Sequence, residues 1–191
     1  MKYYFMMYNF AQADRQKHIG SLKTINNTMP RYSVCSGKYV DNWNPNITLI
    51  CDDEEEKIVP DRLCEINGWV VVSQRFVDTV EPFINGGIQY LPVKIDAIQP
   101  QIQGKRYYVA NVTRVLDVYD YEKGDWDYMG PNKEYRDPIT YVLKKEEIKN
   151  NHIFIIKDDL LSQLIVVSEE LKNAIVKAKL LGFGFVEVEV V

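Results

Sequence analysis

The 191-residue sequence is short of the side chains from which most active sites and metal sites are built. It has only two histidines, His18 and His152, and three cysteines, Cys35, Cys51 and Cys64. Neither histidine lies near a nucleophile motif, and the cysteines lack the spacing of metal ligands. An odd number of cysteines without such spacing indicates reduced thiols in a cytoplasm. We therefore expect no metal site, no cofactor and no catalytic residue.

The sequence also lacks a glycine-rich phosphate loop and the local signatures of zinc peptidases and serine hydrolases. Two carboxylates that meet only in the folded chain would leave no local trace, so a hydrolytic, carbohydrate-active enzyme stays an alternative. A second alternative is an adaptor or structural component of a secretion or phage-defence apparatus, which would expose an apolar patch or an oligomer interface. The sequence favours a protein without catalytic activity over both.

Basic runs and long apolar runs are missing as well. The formal net charge is −4, so a face that binds nucleic acid is not expected. No stretch is long enough to span a bilayer. The first residues, Met1 to Ala13, resemble a signal peptide, but their apolar part is short and contains Asn9. We therefore expect an N-terminal edge strand at Tyr3 to Phe10, in a cytoplasmic protein that binds neither nucleic acid nor membranes.

The clearest positive pattern lies between His152 and the last residue, Val191. It predicts two apolar strands, then an amphipathic helix, then a final strand. Ser168 directly precedes the helix and can accept a hydrogen bond from a free amide group of the first helical turn. Gly182 is expected to end the helix in the left-handed conformation.

A similar pattern occurs earlier in the chain. Aligning Ser73 with Ser168, an offset of 168 − 73 = 95 residues, places Gly87 over Gly182 without a gap. Pro82 is expected to end or kink the first helix. The sequence predicts one α+β domain over residues 1–191, with mixed, mostly antiparallel sheets and two serine-capped helices in strand-helix-strand units. It leaves open whether the units are a true internal duplication, with sub-lobes at residues 1–100 and 101–191.

The remaining segments give weaker signals. Alternating apolar residues predict strands at Ile47 to Cys51 and Ile88 to Ile95, and a longer one at Tyr107 to Tyr121 that bends or contains a bulge. The acidic run Asp52 to Glu56 is expected to be a solvated loop. Gly, Asp, Asn and Pro are frequent from Glu122 to Pro138, which predicts a loop or an irregular excursion.

Acidic and aromatic residues are interleaved between Asp117 and Tyr128. The plainer interpretation is a solvated loop with Trp126 packed into the core. The alternative is a docking patch, in which aromatic rings supply contact energy and carboxylates steer a basic partner. The residues selected as the partner-binding site are Asp117, Asp120, Glu122, Asp125, Trp126, Asp127 and Tyr128.

Several short motifs follow one another along nearly the whole chain. They are Trp43 with Pro45, Ser73, Tyr90-Leu91-Pro92-Val93, the segment from Tyr107 to Asp120, His152-Ile153-Phe154, Val167-Ser168-Glu169-Glu170-Leu171, and Gly182 with Phe185. Together, and in this order, they resemble the eleventh immunity-protein family of bacterial polymorphic toxin systems, first described as a domain of unknown function. The resemblance implies an α+β protein that neutralises a secreted toxin, encoded beside it, by binding the toxin inside the producing cell. Toxins of such systems are often nucleases, and an acidic protein suits a basic nuclease cleft.

Overall fold

The computed structural model of the protein describes residues 1–9, 18–19, 21–25, 34–51, 53, 55–129, 135–157 and 164–191. Strands dominate these ranges and form two six-stranded sheets and a separate two-stranded sheet, while the α-helices are short. This architecture confirms the predicted α+β class with mixed, mostly antiparallel sheets. No helix in the described ranges is long and apolar enough to cross a membrane.

The described part of the chain contains fourteen strands and three α-helices. The strands are β1 (Tyr3–Tyr8), β2 (Lys23–Ile25), β3 (Thr48–Ile50), β4 (Arg62–Leu63), β5 (Val71–Ser73), β6 (Ile88–Asp96), β7 (Tyr107–Val112), β8 (Val115–Leu116), β9 (Trp126–Met129), β10 (Tyr135–Pro138), β11 (Val142–Leu143), β12 (Ile153–Ile156), β13 (Ile165–Ser168) and β14 (Phe183–Val190). The helices are α1 (Gln74–Val80), α2 (Lys145–Ile148) and α3 (Glu169–Lys177), and a 3-10 turn (Glu81–Phe83) follows α1.

The N-terminal strand lies in the middle of the first sheet. The strand order is β11-β14-β1-β13-β12-β8, and β1 is antiparallel to both of its neighbours. The prediction of a strand is confirmed, but the prediction that it lies at an edge is wrong. Four consecutive residues of β1, from Tyr3 to Met6, are buried, as expected for a strand that is covered on both faces.

The second sheet has the strand order β2-β3-β6-β7-β5-β4. It contains the strands predicted at Ile47 to Cys51 and at Ile88 to Ile95. The single long strand predicted at Tyr107 to Tyr121 is instead divided, because β7 belongs to the second sheet and β8 to the first. The predicted bend is therefore the point at which the chain passes from one sheet to the other.

The two sheets repeat one arrangement. In the first sheet β13, α3 and β14 surround β1, and in the second β5, α1 and β6 surround β7. The register is also repeated, since Ser168 pairs with Tyr3 as Ser73 pairs with Tyr107. Three further matching pairs are Val93–Tyr107 with Val188–Tyr3, Lys94–Thr48 with Glu189–Val142, and Val72–Arg62 with Val167–Ile153.

The offset of 95 residues read from the sequence is thus a structural repeat of two strand-helix-strand units. The second unit takes its central strand from the N-terminus, whereas the first takes β7 from the chain that follows it. The division into sub-lobes at residues 1–100 and 101–191 stays a prediction. Each sheet takes its central strand from the other side of that boundary.

The helix caps follow the predicted chemistry at one end and depart from it at the other. Ser73 and Ser168 both cap helices directly after strands, and Ser168 Oγ accepts from the Leu171 amide at 3.2 Å. The left-handed residue after α3 is Lys179, with φ of 53°, so the prediction that Gly182 ends the helix is wrong. Gly182, at φ of +91°, precedes β14, where a Cβ would collide with the carbonyl oxygen of Arg62.

Three apolar clusters fill the space around the sheets. The cluster between the sheets includes Phe76 of α1, whose ring stacks on Phe183 of the first sheet at 5.0 Å. The other face of each sheet has its own cluster. Burial of these side chains provides most of the driving force for the fold.

The structure describes parts of two surface segments on which the sequence made predictions. The loop or irregular excursion predicted at Glu122 to Pro138 contains the antiparallel pair β9 and β10. Of the acidic run, Asp53 pairs with Lys57 at 2.8 Å and Glu55 and Glu56 are exposed, while residues 52 and 54 lie outside the described ranges.

Candidate partner-binding surface

The segment predicted to bind a partner is anchored on the outer face of the first sheet. Val118 and Tyr119 are fully buried in the apolar cluster on that face. The Asp120 amide donates to the Val142 carbonyl at 2.9 Å, and the Tyr119 hydroxyl donates to the Thr140 carbonyl at 2.9 Å. These contacts fix where the following turn leaves the body of the protein.

Asp120 shapes this turn. It is only 7% exposed, and its Oδ1 accepts from the amides of Glu122 at 3.1 Å and Lys123 at 3.3 Å. The Lys123 ammonium lies 3.7 Å from Oδ2. A Cβ at Gly124 would collide with the Tyr119 hydroxyl, so the turn also requires glycine there. The carboxylate of Asp120 therefore stabilises the turn through hydrogen bonds to backbone amides, as in an Asx-type turn.

The turn presents three acidic residues to solvent. Glu122, Asp125 and Asp127 are all exposed, and no ion pair among the described residues involves them. The nearest basic residue in sequence, Lys123, is already paired with Asp120. These three carboxylates thus form a local concentration of negative charge, which we call the acidic turn.

Asp117 is set apart from the acidic turn. The buried residues Val118 and Tyr119 separate the two in the chain. Its side chain is 65% exposed, and it pairs with Lys157, just after β12, at 3.3 Å. The structure therefore leaves Asp117 accessible but already partnered.

Trp126 and Tyr128 are placed through their backbones. Both lie in β9, where Trp126 pairs with Pro138 and Tyr128 with Arg136 of β10. The structure describes no more than the backbone of these two residues. Whether Trp126 packs in a core or faces solvent therefore lies outside what is described.

Two exposed apolar residues lie beside the acidic turn. Tyr121 is 38% exposed and its ring packs edge-on against Tyr119 at 4.9 Å. Ile139 is 64% exposed, and its amide donates to the Asp125 carbonyl at 2.8 Å. Tyr121 stands within the segment selected from the sequence, but Ile139 gives no sequence signal, because only the hydrogen bond across the turn brings it next to Asp125.

A serine and a histidine also approach each other, beside α3. Ser168 Oγ lies 2.8 Å from His152 Nδ1, and Glu170 lies 4.0 Å from the same nitrogen. A catalytic triad needs the serine and the acid on opposite nitrogens of the ring. Ser168 is also fully buried, and its hydroxyl caps α3. The geometry fits a structural contact.

The buried carboxylate of Asp61 has a structural place as well. It accepts from Ser73 Oγ at 2.7 Å, from Arg75 at 3.1 Å and from the Leu181 amide at 3.0 Å, and so ties α1 to the chain after α3. Among the residues that the structure describes, no group of three or more His, Cys, Asp or Glu side chains is placed to hold a metal ion.

Comparison with known proteins gives one family assignment. The search of curated proteins finds no match. A family model, described as the immunity protein family (Imm11), matches residues 5–190, which is nearly the whole chain. The motif order and the α+β fold agree with that match. The protein therefore belongs to the Imm11 immunity protein family, and this membership supports a role as an immunity protein.

Proposed function

We propose that this protein is a non-catalytic immunity protein that binds a cognate polymorphic toxin in the cytoplasm and neutralises it. The observation that carries the proposal is the family match over residues 5–190. The structure adds support, because the Ser168 hydroxyl and the Asp61 carboxylate, which resemble parts of active sites, are hydrogen-bonded within the protein. Neutralisation by binding needs only a complementary surface.

We further propose that the acidic turn is part of this surface and that the toxin presents a basic cleft, as a nuclease does. Glu122, Asp125 and Asp127 carry charge of the same sign, are exposed and make no ion pair among the described residues. Exposed charge of one sign accelerates association with a partner of opposite sign. In a nuclease cleft the three carboxylates would take positions otherwise filled by phosphates.

The residues around the acidic turn have different roles in this proposal. Tyr121 and Ile139 offer apolar area beside the carboxylates, and Trp126 and Tyr128 are proposed as anchors at the centre of the contact. Asp120 holds the turn in shape from inside. Asp117, paired with Lys157, lies at the rim, where charges contribute mainly to steering.

Charge reversal tests the proposed surface. Replacing Asp125 and Asp127 together with lysine should slow association with the toxin roughly tenfold or more at low salt and should flatten its salt dependence. The rate of association, measured by surface binding at two ionic strengths, tests both the slower association and its weaker salt dependence. Substituting Trp126→Ala should mainly accelerate dissociation, since anchors act through the lifetime of the complex.

A matched control separates local from overall charge. Replacing Asp41 and Glu189 with lysine changes the net charge equally at two exposed positions outside the acidic turn. This control should associate nearly as fast as the parent. If the Asp125 and Asp127 variant also binds and protects cells like the parent, the interface lies elsewhere.

A further inference from the structure

A cavity between the two sheets is not explained by the acidic surface. Its volume is about 280 Å³, and residues of β1, β4, β7, β12 and β13 line it. Its walls are mostly apolar and include Met6, Val70, Ala110, Val112, Ile155 and Ile165. A space of this size is large enough for a small organic group.

One charged side chain, Arg62, lines this apolar cavity. Its only hydrogen bond in the described part of the chain runs from Nη1 to the Met6 carbonyl at 3.3 Å. No carboxylate pairs with it there, since the neighbouring Asp61 is taken by Ser73 and Arg75. A guanidinium has five N–H donors, so most of them are left without a protein partner.

The position of Arg62 leaves its charge without an ion pair among the described residues. Burial lowers the pKa of Arg62 to about 10, so the side chain is still a cation at neutral pH. By exposure the side chain is only partly buried, and none of its unpaired nitrogens is sealed from solvent. Among the described residues no carboxylate neutralises the charge, so a ligand in the cavity can reach the free donors.

The structural repeat shows that the fold does not require arginine here. Arg62 pairs with Val72 in the second sheet as Ile153 pairs with Val167 in the first. Ile153 is 3% exposed and contributes to the cluster between the sheets. An apolar side chain therefore fills the equivalent position in the first sheet, so the fold does not need an arginine at residue 62.

We propose that this cavity binds a carboxylate, with the oxygens paired to the Arg62 guanidinium and the apolar body of the ligand between the two sheets. Arginine matches a carboxylate with two parallel hydrogen bonds. The carboxylate belongs either to a small free organic acid or to an acidic side chain or C-terminus of a protein partner. Both sources share the same chemistry, and the binding site itself does not depend on the proposed toxin.

Octanoate and 1-octanol form a matched pair of probes for the full-length protein. They share an apolar chain and differ in the charged group. Octanoate should bind at least tenfold more tightly by calorimetry, and the methyl resonances of Ala110 and Ile155 should shift. Equal binding of the two probes, or no binding of octanoate, would overturn the proposal.

Two variants locate the site. Arg62→Met should remove the preference for octanoate while the protein stays folded, because Ile153 fills the equivalent position. Ala110→Leu keeps the arginine but narrows the cavity, and should weaken both probes. If octanoate binds Arg62→Met as it binds the parent, Arg62 is not its partner and the proposal fails. If Arg62→Met does not fold, Ala110→Leu carries the test, and unchanged binding of octanoate to that variant contradicts the proposal.

The toxin complex distinguishes the two sources of the carboxylate. If the toxin supplies it, octanoate should compete with the toxin and Arg62→Met should dissociate from it at least tenfold faster. If a free acid supplies it, toxin binding should be unchanged while the parent still prefers octanoate. The octanoate measurements need no toxin, so their failure is distinct from failure of the immunity role.

Discussion

Burial divides the acidic residues between Asp117 and Asp127 into two kinds. Asp120 lies inside the protein and accepts from two backbone amides, whereas Glu122, Asp125 and Asp127 lie in solvent. The sequence shows five acids of similar surroundings and cannot separate them, because the difference arises from which backbone amides the folded turn presents.

The stability of the turn tests this division. Asp120→Ala removes an acceptor of two backbone hydrogen bonds and should lower the free energy of unfolding by about 2 kcal/mol. Glu122→Ala, at an exposed neighbouring position, should change it by less than about 0.5 kcal/mol. Urea denaturation of both variants measures the difference, and equal midpoints would show that Asp120 does not hold the turn.

Buried phenol groups predict a loss of stability at high pH. Burial raises the pKa of Tyr107 to about 12, and it raises the pKa of Tyr90 as well. Because unfolded tyrosine ionises near pH 10, the unfolded state loses its proton first, so the stabilising contribution is complete below about pH 10 and is lost as pH rises towards 12. Tyr107→Phe should show a smaller loss across this window in denaturation curves, and an identical loss would contradict the assignment.

At the scale of elements, local chemistry predicts where a helix begins better than where it ends. Ser73 and Ser168 mark helix starts because a side-chain oxygen satisfies the first free amides, which is a property of a few adjacent residues. The end of α3 depends on which residue adopts the left-handed conformation. Here a lysine does so, with the Leu180 amide donating to the Ile175 carbonyl at 3.3 Å, and the sequence rule that favours glycine selects the wrong position.

The lysine at this position should cost stability. Lys179→Gly relieves the strain at φ of 53° and should raise the free energy of unfolding by about 0.5–1 kcal/mol. Lys177→Gly, in the last turn of α3, should lower it by about 1 kcal/mol, since glycine is unfavourable in a helix. Thermal denaturation of the pair checks the opposite signs, and two destabilised variants would show that the Lys179 conformation is not strained.

At the scale of the whole molecule, two sheets with a repeated strand arrangement pack on one apolar cluster, and each has a further cluster on its outer face. The sequence predicts the strand-helix-strand units and their offset, because capping and periodicity are local. It does not predict that β1 completes the second unit, because strand order depends on pairing between distant residues. Nor does it predict the cavity at Arg62, which requires strands of both sheets to be placed together. Membership of the Imm11 family supports a role as an immunity protein. The acidic turn is the surface proposed to contact the toxin.

The central claim is neutralisation by binding, and a titration tests it most directly. A fixed amount of the toxin domain encoded beside this protein is mixed with increasing amounts of the immunity protein, and the remaining toxin activity is measured. Binding predicts a linear loss of activity that ends at a fixed molar ratio and does not change with incubation time. Complete, time-dependent inactivation by far smaller amounts of the protein would contradict the account, because only a catalyst acts in that way.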